Sequence, residues 1–236
     1  MKRFVKEMSV KIEEQTVRQR HTVRVFTTDP IPSPKVEILN RLIAECNRQS
    51  GLHLQLVTND PDAFVRSLAR YGMHKNARNY IALVGRRGAD TQQLLGYYGE
   101  KVVLAAQQLG LNTCWIGLTF KKGKVSCDIA VGEKLYGVIS IGIGENQGVS
   151  HKVKTPQQVC RDIANMPDWF RRGVDCALLA PTSMNQQKFH FSLQDDGTVR
   201  ASTSWGFYSQ MDLGIARLHF ELGAGEHVVT WCDDAE

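Results

Sequence analysis

The sequence predicts an α+β fold built from two similar α/β halves, residues 1–154 and 155–236. Three observations carry this expectation. Apolar residues at helical spacing alternate with short apolar or strictly alternating runs, the signatures of helix and strand. A helix over 34–48 with a strand over 52–57 is echoed by a helix over 168–179 with a strand over 188–193. Two helices also end in Leu-Gly, at Leu109-Gly110 and at Leu222-Gly223, where glycine suits the left-handed residue past a helix end.

Composition narrows the function. A length of 236 residues allows one large domain or two small ones, and 42% hydrophobic content is enough for a sizeable core. The net charge of +5 is interspersed, without a block of five like charges. That excess suits a small acidic ligand such as a nucleotide phosphate and gives no argument for nucleic acid. Six cysteines and seven histidines show no CxxC pair and no metal-ligand spacing, so no metal site is expected. Reduced thiols fit a cytoplasmic protein. Neither a leader-like apolar segment nor a membrane-spanning run is present.

In chain order, residues 1–20 read as an amphipathic helix with Val10, Ile12 and Val17 on its buried face. Arg18 to Phe26 then gathers three arginines, a histidine and a threonine hydroxyl within seven residues, Arg18 to Arg24. Such an arm can fork onto a phosphate, each charge-assisted bond contributing roughly 1.5–3 kcal/mol; a solvated basic face is the competing reading. Ser33-Pro34 opens a helix, serine as N-cap and proline in the first turn. Its buried face is Val36, Leu39, Leu42, Ile43 and Cys46. A strand over Leu52–Val57 follows, then a helix capped by Asp60-Pro61, a buried strand over Tyr80–Val84 and a helix over Thr91–Leu109. GLNTCWIG, residues 110–117, turns that helix into a strand. Val138–Gly144 reads as a central strand; the GIGENQG after it has the wrong glycine spacing for a dinucleotide fingerprint.

The second half opens at Thr155-Pro156 with a capping-box pattern. A helix over Asp168–Leu179 is stopped by Pro181. The loop after it, Thr182-Ser183-Met184-Asn185-Gln186-Gln187, offers hydroxyls and carboxamides that could grip a polar planar ligand, or could be a plain polar connection. A strand, an Asp196-Gly197 turn, a second strand, a helix over Phe207–Leu222 closed by Gly223, and a strand over His227–Trp231 complete the expected elements.

Several of these stretches resemble the nitroreductase family, the FMN-dependent NAD(P)H oxidoreductases. GLNTCWIG is similar to the family's GLGTCWIG and is the most specific match. Arg-His-Thr-Val-Arg-x-Phe resembles RRSxRxF, APTSMNQQ before an aromatic strand resembles APSSxNxQPWxF, and Met211 to Ala216 resembles MDxGIA. The likeness covers most of the chain and is poor at 60–80. It implies that Arg20, His21 and Thr22 face the FMN tail, with Lys152 and Lys154 reaching its phosphate. Arg24 and Lys75 would steady negative charge on reduced flavin. Trp115, Ile116 and Gly117 would lie against the ring, with the Gly117 N–H at the reactive N5. Pro181, Thr182, Ser183 and Asn185 would grip the ring end. The implied activity passes hydride from NAD(P)H through FMN to a nitroaromatic or quinone in a ping-pong cycle, with no acid/base dyad. A non-catalytic flavin-binding or sensing protein is the alternative.

In the family, the segment resembled by APTSMNQQ lies near the N-terminus and contacts the partner subunit's flavin. Here it lies in the C-terminal third, while the basic arm and GLNTCWIG occur only in the first half. The resemblance therefore implies a fused, degenerated dimer: a monomer carrying one FMN per chain, with small-molecule electron acceptors as its only partners.

Overall fold

The computed structural model describes residues 11–64, 73–88 and 90–232. In chain order the longer elements are α1 (Glu14–Gln19), α2 (Ser33–Ser50), β1 (Gln55–Val57), β2 (Tyr80–Arg86), α3 (Thr91–Gln108), β3 (Asn112–Ile116) and β4 (Glu133–Gly142). They are followed by α4 (Pro156–Val159), α5 (Asp168–Ala177), β5 (Phe189–Leu193), β6 (Val199–Thr203) and α6 (Ser209–Ala224). The mixed α+β class expected from periodicity is what the chain adopts.

Strands β1–β4 form one antiparallel sheet in the order β1-β2-β4-β3. Both faces of β2 are covered, which is why it reads as a continuous apolar run. Ile81 and Leu83 point into a core with Leu39, Leu42 and Ile43 of α2 and Leu95 and Val102 of α3. Tyr80, Ala82 and Val84 point the other way, against Phe26, Phe64 and Ala77. The β5–β6 hairpin has one covered face and therefore alternates: Phe189, Phe191, Val199 and Ala201 pack on α5 and α6 while their neighbours face out.

Helices α3 and α6 form the seam between these cores. They cross so closely that backbone touches backbone. A Cβ on Gly96 would land on the carbonyl oxygen of Met211, and a Cβ on Gly214 would land on that of Gln93. Residues 93, 96 and 97 thus stand to 211, 214 and 215 as mirror partners across the crossing. Only glycine permits that approach.

Several boundaries differ from expectation for local reasons. The first helix covers only Glu14–Gln19, with Val17 buried and Ile12 half-buried; Val10 lies outside the described residues. Pro32, not Ser33, is the N-cap of α2, and Ser33 begins the helix. Asp60-Pro61 starts a single turn, Pro61–Ala63, that ends at extended Phe64; the rest of the helix expected there lies mostly outside the described residues. The Thr155 capping box forms, but α4 stops after four residues at extended Cys160. Gly223 does not close α6. It is buried against the backbone of Arg172 in α5, and Gly225, with φ +70°, ends the helix. The expected last strand is reduced to a bridge between Val199 and Trp231. The two halves are also unequal, four strands against two.

Candidate functional site

A cavity of about 230 Å³ opens where the two halves meet. The arm reaches it because Val23 donates its N–H to the Thr113 carbonyl at 3.0 Å, laying Thr22 and Val23 beside β3, while Val25 and Phe26 bridge to Lys75 and Gly144. Val23 is buried, so Thr22 and Arg24, one residue either side, share the opposite face and line the cavity. Trp115, Ile116, Gly117 and Leu118 enter from the end of β3, and Leu83 and Gly137 from the sheet. The second half supplies Pro181, Thr182, Ser183 and Met184, together with Tyr208, Met211, Asp212 and Ile215 at the start of α6.

Asp212 organises the second-half loop. Its carboxylate is 5% exposed and accepts the Ser183 N–H at 3.0 and 3.1 Å and the Gln186 amide at 2.7 Å. Burial pushes its pKa from the ordinary 3.8 up to about 6, against the pull of those donors. The loop needs such an anchor, because Met184, Asn185 and Gln187 all have positive φ without being glycine. Its far side is tied to the 152–154 segment. Asn185 and Gln187 each donate an amide to the Lys152 carbonyl at 2.8 Å, and Lys154 Nζ donates to the Gln187 carbonyl at 2.6 Å.

Eight of the sequence-expected residues therefore meet in the cavity: Thr22, Arg24, Trp115, Ile116, Gly117, Pro181, Thr182 and Ser183. Arg20, His21, Lys75, Lys152, Lys154 and Asn185 are not among its lining. Lys75 pairs with Glu145 at 3.2 Å. His21 is half-buried, and burial followed by the Arg20 charge lowers its pKa. Arg20 is turned inward, 4% exposed, with its Nε 3.5 Å from Glu100 Oε1, close enough for ion pairing but without hydrogen-bond geometry. Glu100, itself fully buried, also accepts Trp115 Nε1 at 2.9 Å and faces His219 Nε2 at 2.9 Å. The arginine best placed in sequence to hold a phosphate is thus spent on a buried carboxylate behind the cavity wall.

Gly117 has a local packing reason to be glycine. A Cβ there would come within 2.5 Å of the Tyr208 ring, whose hydroxyl donates to the Gly117 carbonyl at 2.9 Å. Tyr208 holds a left-handed backbone, φ 57°, just ahead of α6. Asp212 and Met211 sit in a segment singled out only for its resemblance, while Tyr208 carries no local signal. The lining mixes apolar walls (Leu83, Ile116, Met211, Ile215) with the Thr22, Thr182 and Ser183 hydroxyls and the Arg24 guanidinium. That donor set fits a flat ring with a polar rim; for a phosphate tail it offers Arg24 and Thr22. Tyr208 also lines a second cavity of about 230 Å³ with Gln92, Lys122, Lys134, Leu135 and Tyr136. Among the described residues no group of three or more His, Cys, Asp or Glu could hold a metal, and no helix is long and apolar enough to cross a membrane.

Among solved structures, a nitroreductase-named protein of Thermotoga maritima is similar over 94% of this chain and 88% of its own, at 18% identity and a TM-score of 0.66, which shows the shared fold. A nitroreductase-named protein of Desulfovibrio desulfuricans, solved in complex with FMN, matches 61% of this chain and 92% of its own at 20% identity and a TM-score of 0.46. A protein of Bacteroides thetaiotaomicron named NADH dehydrogenase/NAD(P)H nitroreductase matches 61% and 94% at 15% identity and a TM-score of 0.48. No curated protein sequence matches the chain significantly. The family model described as "Putative TM nitroreductase" matches residues 12–224, nearly the whole chain, and the chain therefore belongs to that nitroreductase family.

Proposed function

We propose that the protein is an FMN-dependent oxidoreductase that takes electrons from NAD(P)H and passes them to a nitroaromatic or quinone-type acceptor. The observation that carries the reading is the cavity between the halves, which combines the arm and β3 end of one with the 181–184 loop and α6 of the other. FMN, when bound, supplies the hydride chemistry; the protein positions it and tunes its charge. Arg24 contributes a positive charge that favours an anionic ring. Thr22, Thr182 and Ser183 offer hydroxyls to a polar rim, and Leu83, Ile116, Met211 and Ile215 exclude water. Asp212 acts through the loop, fixing Ser183 and Gln186.

The fused-dimer reading belongs to this proposal: one FMN per chain, in a cytoplasmic monomer. The reciprocal contacts of Gly96 and Gly214 support it, since they are what a two-fold helix crossing would leave within one chain. Around that crossing Asp212 has Leu94 as its mirror partner, so a mirror-related site would lack its loop anchor.

The test is the absorbance spectrum of the purified protein, before and after NAD(P)H and then a nitroaromatic. A yellow protein bleached by NAD(P)H and recoloured by the acceptor supports the enzyme. A yellow complex that NAD(P)H cannot bleach favours a flavin-binding protein without turnover, and a colourless protein that FMN cannot tint overturns both.

A further inference from the structure

Tyr208 separates two cavities of different character. Leu118 and Met184, on the first, are exposed by 68% and 81% and form an apolar mouth. The second is lined by two lysines, Lys122 and Lys134, and by Gln92. Lys134 Nζ stands 4.2 Å above the ring of Tyr136, which is buried beneath it. No carboxylate among the described residues pairs with either lysine. The neighbouring Glu133 is engaged elsewhere, by His53 at 2.9 Å and the Ala130 N–H at 2.8 Å. Two cationic side chains on the wall of one half-enclosed space repel each other, and an anion between them offsets that repulsion. The separation from the ring site is short. The Tyr208 hydroxyl touches the Gly117 carbonyl on one side at 2.9 Å and the Tyr136 carbonyl on the other at 3.5 Å.

We propose that the Lys122–Lys134 cavity seats an anionic group, carboxylate or phosphate, carried by the planar molecule whose ring enters the cavity on the other side of Tyr208. The inference rests on the proposed function, because that ring would be the electron donor or acceptor. It assigns to this chain a preference for negatively charged ring compounds over neutral ones of the same shape. The apolar mouth holds the ring and the lysines read the charge.

Two matched pairs of probes separate the sources of the anion: 4-nitrobenzoate against its methyl ester, and nicotinamide mononucleotide against nicotinamide riboside. Dissociation constants are measured by calorimetry on the protein as purified, so the ratio is read whether or not flavin is bound; the spectrum is recorded separately and judges the flavin reading alone. In the wild type, the charged member of at least one pair should bind about fivefold more tightly at low salt, a preference that fades as salt rises. The double variant Lys122→Ala/Lys134→Ala should bring that ratio to about one. Lys124→Ala, nearby but outside the cavity, should leave it unchanged. Collapse of the benzoate ratio names an aromatic carboxylate, and collapse of the mononucleotide ratio names the phosphate of a nicotinamide donor. Wild-type ratios near one for both pairs, or ratios that survive the double substitution, overturn the proposal.

Discussion

Arg20 and Asp212 show how differently two buried charges can serve one site. Arg20 braces the wall from behind. Burial lowers its pKa and Glu100 pushes back. Glu100→Gln should therefore cost about 3–5 kcal/mol in a urea titration, because it strands a buried guanidinium. Arg20→Ala should likewise act on stability first, leaving the salt dependence of flavin binding unchanged. Asp212 acts at the cavity itself. Its folded pKa of about 6 lies above the ordinary 3.8, so the folded protein holds a proton that the unfolded chain has released between those values. Its contribution to stability accordingly falls as pH rises from about 3.8 to 6 and stays low above 6, a change on the order of 3 kcal/mol. Asp212→Asn should flatten that part of the stability–pH curve. Flavin affinity should run the opposite way. Protonation below pH 6 leaves Asp212 one full acceptor oxygen for two donors, Ser183 and Gln186, and loosens the loop, so fluorescence titration should show several-fold weaker binding at pH 5 than at pH 7.5. The Asn variant should bind weakly at both. Thr22, Arg24, Thr182 and Ser183 were legible because each lies in a short stretch whose chemistry is local. The fate of Arg20 was not, because its carboxylate partner is eighty residues away in sequence and enters only through the packing of α3.

At the scale of elements, the junction between β3 and α6 depends on one ring against one glycine. Gly117→Ala should destabilise the protein by about 1–3 kcal/mol, as overpacking does, by pushing Tyr208 from its seat. Tyr208→Ala should remove most of that penalty, so a double-mutant cycle in denaturant should be strongly non-additive; additive effects would mean the two are not in contact. Helix and strand identities followed from periodicity: the covered β2 reads as an unbroken apolar run, and the hairpin strands alternate. Helix ends were less legible, because glycine has more than one use. Gly110 has the left-handed φ, +71°, expected past a helix. Gly223, in the same Leu-Gly context, is a glycine because α5 passes too close for a side chain. Sequence shows the residue; only packing shows which of its two properties is used.

For the whole molecule, the halves are joined through the crossing of α3 and α6. Gly96→Ala and Gly214→Ala each place a methyl group on an opposing backbone carbonyl, so each should cost about 3 kcal/mol or more by thermal unfolding, and by similar amounts. If one is tolerated and the other is not, the reciprocity of the crossing has no energetic meaning. Native mass spectrometry of the FMN-saturated protein should give one chain with one FMN; a stable dimer, or two FMN per chain, would undo the fused-dimer reading. The sequence suggests a repeat through its helix-plus-strand echoes, whereas the Leu95-Gly96 and Leu213-Gly214 pairs that face each other at the crossing lie mid-helix, where no turn signal draws attention. That crossing also bears on inheritance. In a pair of identical subunits, a mutation beside the axis arrives twice and confronts its own copy. Within one chain it arrives once. Gln93 opposite Met211 and Tyr97 opposite Ile215 are unlike, while the two glycines are held the same by the backbone that each one meets. Every other position around the crossing can drift alone, so one face of the molecule can acquire a trait that the other never has to tolerate.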